Sequence, residues 1–149
     1  MTRWSHVALN CRDLERTEDY YARWFGFARA AAFDLGETRI VFLRSGDAYL
    51  ELFGPAARAA RPAEPPPDVE GDGPAEPGAV RHIAFQTDDV DALLAAMGED
   101  ARITLGPLDF DAFIPGWRTA WLSDPDGVVV EVSQGFRDAE GPGRRDAEQ

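Results

Sequence analysis

The sequence contains no lysine; all 15 of its basic residues are arginines. Without a lysine amine no Schiff base can form with a carbonyl compound, which excludes pyridoxal phosphate chemistry. The Walker lysine is missing too, and no glycine-rich phosphate loop is present. Cysteine occurs once, as Cys11, so no disulfide can close within the chain. No run approaches the roughly 18 consecutive apolar residues of a membrane span. The opening stretch MTRWSHVALN lacks the basic region and apolar run of a signal peptide. These absences predict a cytoplasmic protein in a reducing compartment. Cys11 follows a strand-like run and is expected to be a buried structural thiol.

What is present bounds the answer further. A length of 149 residues is that of one domain, and a hydrophobic content of 44% supports an ordinary core. The net charge of −12 repels nucleic acid and predicts no nucleic-acid partner and no membrane partner. A phosphate-rich ligand is disfavoured as well, unless arginines cluster locally.

One unit is written twice. HVALNCRDL at 6–14 matches HIAFQTDDV at 82–90: His6 with His82, Val7 with Ile83, Ala8 with Ala84, Leu9 with Phe85, Asn10 with Gln86, Asp13 with Asp89. Alternation makes each run a strand with apolar residues on one side and a histidine with small and polar residues on the other. A helix follows each strand. Asp13 and Asp89 are suited to cap the helices, and Gly26 and Gly98 to stop them. Leu14, Tyr21 and Phe25, with Thr17 and Trp24 in part, mark one helix face; Val90, Leu93, Leu94 and Met97 mark the other helix. Further strands are predicted at 39–44 and 48–54, joined by Arg44-Ser45-Gly46-Asp47, and at 117–123 and 128–133, joined by Asp124-Pro125-Asp126-Gly127. Glu51 stands seven residues after Arg44, and Glu131 seven after Asp124.

Between the halves, residues 62–78 hold six prolines, five acids and no arginine, the composition of a flexible linker or surface loop. The tail 137–149 is poor in apolar residues and is expected to be disordered. Residues 1–149 thus read as one domain, with module one at 4–54 and module two at 80–135.

Both histidines of the chain stand on first strands. Each half also sets a glutamate in an apolar last strand, in Tyr49-Leu50-Glu51-Leu52-Phe53 and Val129-Val130-Glu131-Val132. A carboxylate there is costly unless paired or metal-bound. A single strand histidine is ordinarily a satisfied structural residue, and a single such glutamate ordinarily sits at an edge or in an ion pair. Four of them at repeat-equivalent places favour a metal. His6, Glu51, His82 and Glu131 suit one divalent ion: nickel, cobalt, zinc, iron or manganese. An octahedral ion would keep two positions open; a closed structural zinc prefers cysteine and histidine.

The stretches SHVALNCRDLERTEDYYARWFGF, YLELF, RHIAFQTDDVDALL and WLSDPDGVVVEV resemble the vicinal oxygen chelate superfamily. That superfamily includes glyoxalase I, methylmalonyl-CoA epimerase, extradiol dioxygenases and the fosfomycin and bleomycin resistance proteins. The resemblance covers about 4–54 and 80–135. It implies an α+β fold of two βαβββ modules whose mainly antiparallel sheets cup a metal site, and a homodimer. In ligand order, His-Glu-His-Glu, the chain is most similar to bacterial glyoxalase I. It lacks that enzyme's Asn-Pro-Glu segment, having RAAAFDLGETRI instead, so glutathione is not the implied thiol. Methylmalonyl-CoA epimerases carry glutamine where Glu51 stands.

The resemblance implies a glyoxalase-like lyase, isomerase or epimerase that removes a proton beside a carbonyl of a small molecule. Glu131 is the implied base, with Glu51 the other candidate. A small-molecule binding protein conferring antibiotic resistance is the alternative, although such binders usually lose the ligands kept here. An extradiol-type dioxygenase comes third, since no histidine is left over for acid–base work. Candidate substrate contacts are Asn10, Tyr49, Phe53 and Gln86 on the ligand-bearing faces. Phe113, Trp117, Arg118 and Trp121 lie in or after LGPLDFDAFIPGW, which is read as a loop able to cover a hydrophobic ligand. Arg118 would orient a carboxylate or, more plainly, make a surface ion pair.

Overall fold

The computed structural model describes residues 1–56 and 64–141. Its elements in chain order are β1 (His6–Asn10), α1 (Leu14–Phe25), β2 (Ala28–Leu35), β3 (Thr38–Ser45) and β4 (Ala48–Pro55). Then come β5 (Ile83–Gln86), α2 (Val90–Met97), a short 3-10 turn at Gly98–Asp100, β6 (Ile103–Asp109), β7 (Arg118–Ser123) and β8 (Val129–Gln134). The described chain divides into two compact units. Unit one runs up to Asp68 and takes in the distant turn Asp124–Gly127; unit two holds the rest.

Each unit is βαβββ, with strand orders β1-β4-β3-β2 and β5-β8-β7-β6. In both, the first and last strands pair in parallel and the other pairings are antiparallel, giving two mixed sheets. The α+β, two-module expectation holds. The residue pattern alone had found three strands per half. The ones it missed, β2 and β6, are edge strands with irregular register: Arg29/Ala31 in β2, and Ile103/Leu105/Leu108 in β6 around Gly106-Pro107. Proline has no N–H for the ladder and is confined to such edges. LGPLDFDAFIPGW is therefore not wholly a loop, since its first five residues belong to β6.

The caps are where the sequence put them. Asp13 accepts from the Arg16 backbone N–H and Asp89 from that of Ala92. Gly26, at φ +71°, ends α1 in the left-handed conformation glycine tolerates best. α1 buries Leu14, Thr17, Tyr20 and Tyr21, with Leu9, Val41, Leu43, Leu50 and Leu52 completing that core. Each fully buried side chain of this size contributes about 1.5–3 kcal/mol. Unit two is filled by Val90, Met97, Ala120, Leu122, Val130 and Val132. Among the described residues no helix is long and apolar enough to cross a membrane.

Two polar features tie chain segments down. In unit one, Tyr21 donates to the buried Asp124 carboxylate at 2.7 Å, and Thr17 Oγ1 donates to Asp126 at 2.8 Å. The Arg12 backbone N–H donates to the other Asp126 oxygen at 2.9 Å. In unit two, part of the stretch expected to be a linker is held: Gly71 N–H donates to Thr104 O, and Thr104 Oγ1 donates to Gly71 O. Residues 62–63 of that stretch, and 142–149 of the expected tail, lie outside the described residues.

Candidate metal centre

In unit one the site is built on the two parallel strands. β1 and β4 align His6 with Tyr49, Ala8 with Glu51 and Asn10 with Phe53. Register partners share a face, and alternate residues along a strand do too. One face therefore carries His6, Ala8, Asn10, Tyr49, Glu51 and Phe53. The other sends Leu9, Leu50 and Leu52 into the core. β3 sets Phe42 opposite Glu51. Small Ala8 leaves room beside Glu51, and the edge of one ring meets the face of the other between His6 and Phe42, with centroids 5.6 Å apart. The imidazole Nδ1 lies 2.8 Å from Ser5 Oγ, and Nε2 lies 3.6 Å from Glu51 Oε1.

Unit two repeats this arrangement. Ala84 aligns with Glu131 and Gln86 with Ser133, while β7 sets Trp121 opposite Glu131. His82 stands one residue before β5 rather than on it. Its Nδ1 lies 2.8 Å from the Asp72 carbonyl oxygen, and its Nε2 lies 3.6 Å from Glu131 Oε2. Phe42 and Trp121 are thus equivalents, each an aromatic ring opposite the glutamate and against the histidine.

The chemistry of this donor set fits a divalent cation. A carbonyl oxygen only accepts, so the proton of a neutral His82 sits on Nδ1 and Nε2 keeps its lone pair. That lone pair faces Glu131 Oε2 at 3.6 Å, beyond hydrogen-bond range, and His6 Nε2 stands at the same distance from Glu51 Oε1. Two acceptors facing each other repel unless a cation or proton lies between them. With metal–ligand bonds of about 2.0–2.2 Å, neighbouring ligands of one ion lie about 3.0 Å apart in an octahedral site and about 3.4 Å apart in a tetrahedral one, so a small closing of this gap would bring both atoms onto an octahedral ion. A ligand histidine whose other nitrogen is hydrogen-bonded is the usual second-layer arrangement. Among the described residues the donors stand as two pairs; no three His, Cys, Asp or Glu side chains are gathered as a ligand set.

The remaining candidates separate. Asn10 and Gln86 are exposed and Tyr49 and Phe53 half-buried, all on the ligand-bearing faces. Trp117 donates its indole N–H to Ser133 Oγ at 2.8 Å. Trp121 is 6% exposed, packs against His82 and Phe110, and its indole N–H has no partner among the described residues. Phe113 is exposed on a loop closed by its own bonds, from Ile114 N–H to Phe110 O and from Trp117 N–H to Ile114 O. Arg118 makes the ion pairs that were its plainer reading. It is held by Asp91 and Asp109, each at 3.0 Å, and these ion pairs raise its pKa. Cys11 is buried as expected, and burial first, then Asp126, pushes its pKa up to about 12, making it a poor nucleophile.

Three contributors escaped the sequence. Phe42 carried a signal, since it aligns with Trp121 once the strands are registered. Ser5 was visible only as a neighbour of His6. The Asp72 carbonyl had no signature, being backbone in a proline-rich stretch.

The model of the Glyoxalase/Bleomycin resistance protein/Dioxygenase superfamily matches residues 3–132. A glyoxalase family protein from Enterococcus faecalis is 26% identical, with a TM-score of 0.61 over 88% of this chain and 96% of its own. The trypanothione-dependent glyoxalase I of Leishmania major is 24% identical, with a TM-score of 0.64 over 91% of this chain and 88% of its own. The fosfomycin resistance protein FosX of Listeria monocytogenes, in complex with Mn(II) and sulfate, is 17% identical, with a TM-score of 0.59 over 91% of this chain and 94% of its own. At such identities the last two show the shared fold alone. No curated protein matches in sequence.

Proposed function

Because the chain belongs to the glyoxalase/bleomycin resistance protein/dioxygenase superfamily, we propose that it is a metal-dependent lyase, isomerase or epimerase that removes a proton beside a carbonyl of a small molecule. His6, Glu51, His82 and Glu131 are the proposed ligands of a divalent cation, and the working form is a homodimer. The observation that carries this reading is the repeated pair: in both halves a histidine Nε2 faces a glutamate oxygen at 3.6 Å, on one sheet face, beside an aromatic ring.

A divalent ion held there would act as a Lewis acid on a substrate oxygen and make the neighbouring C–H more acidic. The chain's own groups do the rest. Glu131 takes the proton and returns it to the adjacent carbon or the opposite face, in keeping with a carboxylate that no arginine neutralises among the described residues. Glu51 is the second candidate for that role. His82, its ring fixed by the Asp72 carbonyl, presents Nε2 in a constant direction. The ring of Trp121 packs against the His82 imidazole, with centroids 6.2 Å apart.

The test is elemental analysis of protein purified without a histidine tag, comparing the natural chain with His6→Ala and Glu131→Ala. About one metal per site, lost in both variants, is the expected result. Exchange of the α-hydrogen of α-keto and thioester compounds with deuterated solvent, abolished by chelation, would follow. A natural chain free of metal that also refuses added nickel, zinc and iron would sink the reading. Tight binding of an aromatic compound, indifferent to chelation, would favour a sequestering protein instead, and oxygen uptake with a catechol an oxygenase.

A further inference from the structure

Unit one contains an open cavity of about 840 Å³, lined by Arg3, Trp4, Ser5, Arg44, Asp47 and Tyr49 among others. Its volume lies in the range of small-molecule sites. Three observations give it a chemistry. First, its two arginines are spare cations. Arg12, Arg29, Arg39, Arg81 and Arg118 each pair with a carboxylate, whereas no described carboxylate pairs with Arg3 or Arg44. Two guanidinium groups with no described carboxylate partner thus line one cavity, beside Asp47, in a chain of net charge −12.

Second, Arg44 is pre-set. Its Nε donates to Gly46 O at 2.7 Å, and its guanidinium lies 5.6 Å from the centre of the Tyr49 ring. These contacts fix the plane of the group and leave both terminal nitrogens to donate as a fork to two oxygens of an anion. Third, Trp4 is 76% exposed, so its ring offers a broad unshared surface. The cavity also continues the candidate metal centre. Tyr49 is the register partner of both His6 and Arg44, and Ser5 touches the His6 ring. Tyr49 and Glu51 share a face two residues apart, about 7 Å along β4.

We propose that this cavity holds the oxyanion end of an aromatic small molecule, a carboxylate or a phosphate ester, with Arg3 and Arg44 on the anion and Trp4 against the ring. This deepens the function proposed above by naming a substrate class, and rests on it for what the anchored molecule undergoes; the anion site itself does not need the metal.

Titration calorimetry of the full chain with benzoate, phenyl phosphate and neutral benzamide tests it. Both acids, or one of them, should bind, with benzamide weaker by about tenfold or more, the worth of a charge-assisted hydrogen bond. Preference between the two acids identifies the oxyanion. Arg44→Gln and Arg3→Gln should each lower the affinity for the preferred acid about tenfold. Arg3 precedes β1, so its variant has no strand to disturb. Both should keep the metal content of the natural chain. Equal binding of benzoate and benzamide, unchanged affinity in both variants, or no binding of any probe would overturn the proposal. A chain that refuses metal yet binds benzoate through Arg3 and Arg44 would overturn the metal reading and leave this one standing.

Discussion

Tyr21, Asp124 and Cys11 show how much one polar contact can weigh inside this core. Tyr21 is fully buried and spends its hydroxyl on the buried Asp124 carboxylate. Tyr21→Phe should cost about 1.5–3 kcal/mol in urea unfolding, the range for hydrogen bonds to charged groups. Cys11 gives a pH signature. Its thiol is pushed from an ordinary 9.0 up to about 12, chiefly by burial. Below pH 9 the folded and unfolded chains both hold this proton; from there to about 12 only the folded chain does. Stability is therefore intact at neutral pH and falls as pH rises through that window, by roughly 1.4 kcal/mol per unit. Tyr21, raised in the same direction by burial and then by Asp124, adds to the fall at higher pH. Cys11→Ala should show a shallower alkaline decline than the natural chain; an identical slope would refute the assignment.

At the scale of elements, two glycines set tolerances. A Cβ on Gly54 would lie 2.7 Å from Leu14 Cγ and 3.0 Å from Cys11 O, where β4 passes the start of α1. Gly54→Ala should lower stability by about 1–3 kcal/mol, the cost of overpacking. Gly73, at φ +116°, lies so close to Arg81 that a Cβ would collide with its carbonyl. Gly73→Ala should displace Asp72, loosen His82 and weaken metal binding about 10- to 100-fold, as loss of a supporting contact does. Competition with a colourimetric chelator would measure it. These elements also mark what the chain discloses about itself. His6 and His82, Ala8 and Ala84, Asp13 and Asp89 made the repeat, the helices and the central strands legible, because caps and alternation are local. β2 was hidden because ARAAAFDL has no clean alternation at an exposed edge. β6 was hidden by Gly106-Pro107 and its irregular register. Of the candidate site, the two His–Glu pairs proposed as ligands were legible from the repeat. The brace on His82 was not, because a backbone carbonyl leaves no letter in the sequence.

For the whole molecule, the net charge of −12 sets mutual repulsion against ion pairs such as Arg29–Glu18 and Arg118–Asp109. These pairs are partly exposed to water, and each is worth about 0–1 kcal/mol. Repulsion should dominate, so Tm should rise as sodium chloride is raised from low to physiological ionic strength. A falling Tm would mean that the pairs prevail.

Unit one is also discontinuous in the chain, since it includes Asp124–Gly127. The N-terminal half is for that reason not a portable part. Made alone, it would leave Tyr21 and Thr17, both buried, facing a gap where Asp124 and Asp126 belong. Any attempt to split, graft or permute this chain has to carry Asp124–Gly127 along with the stretch up to Asp68.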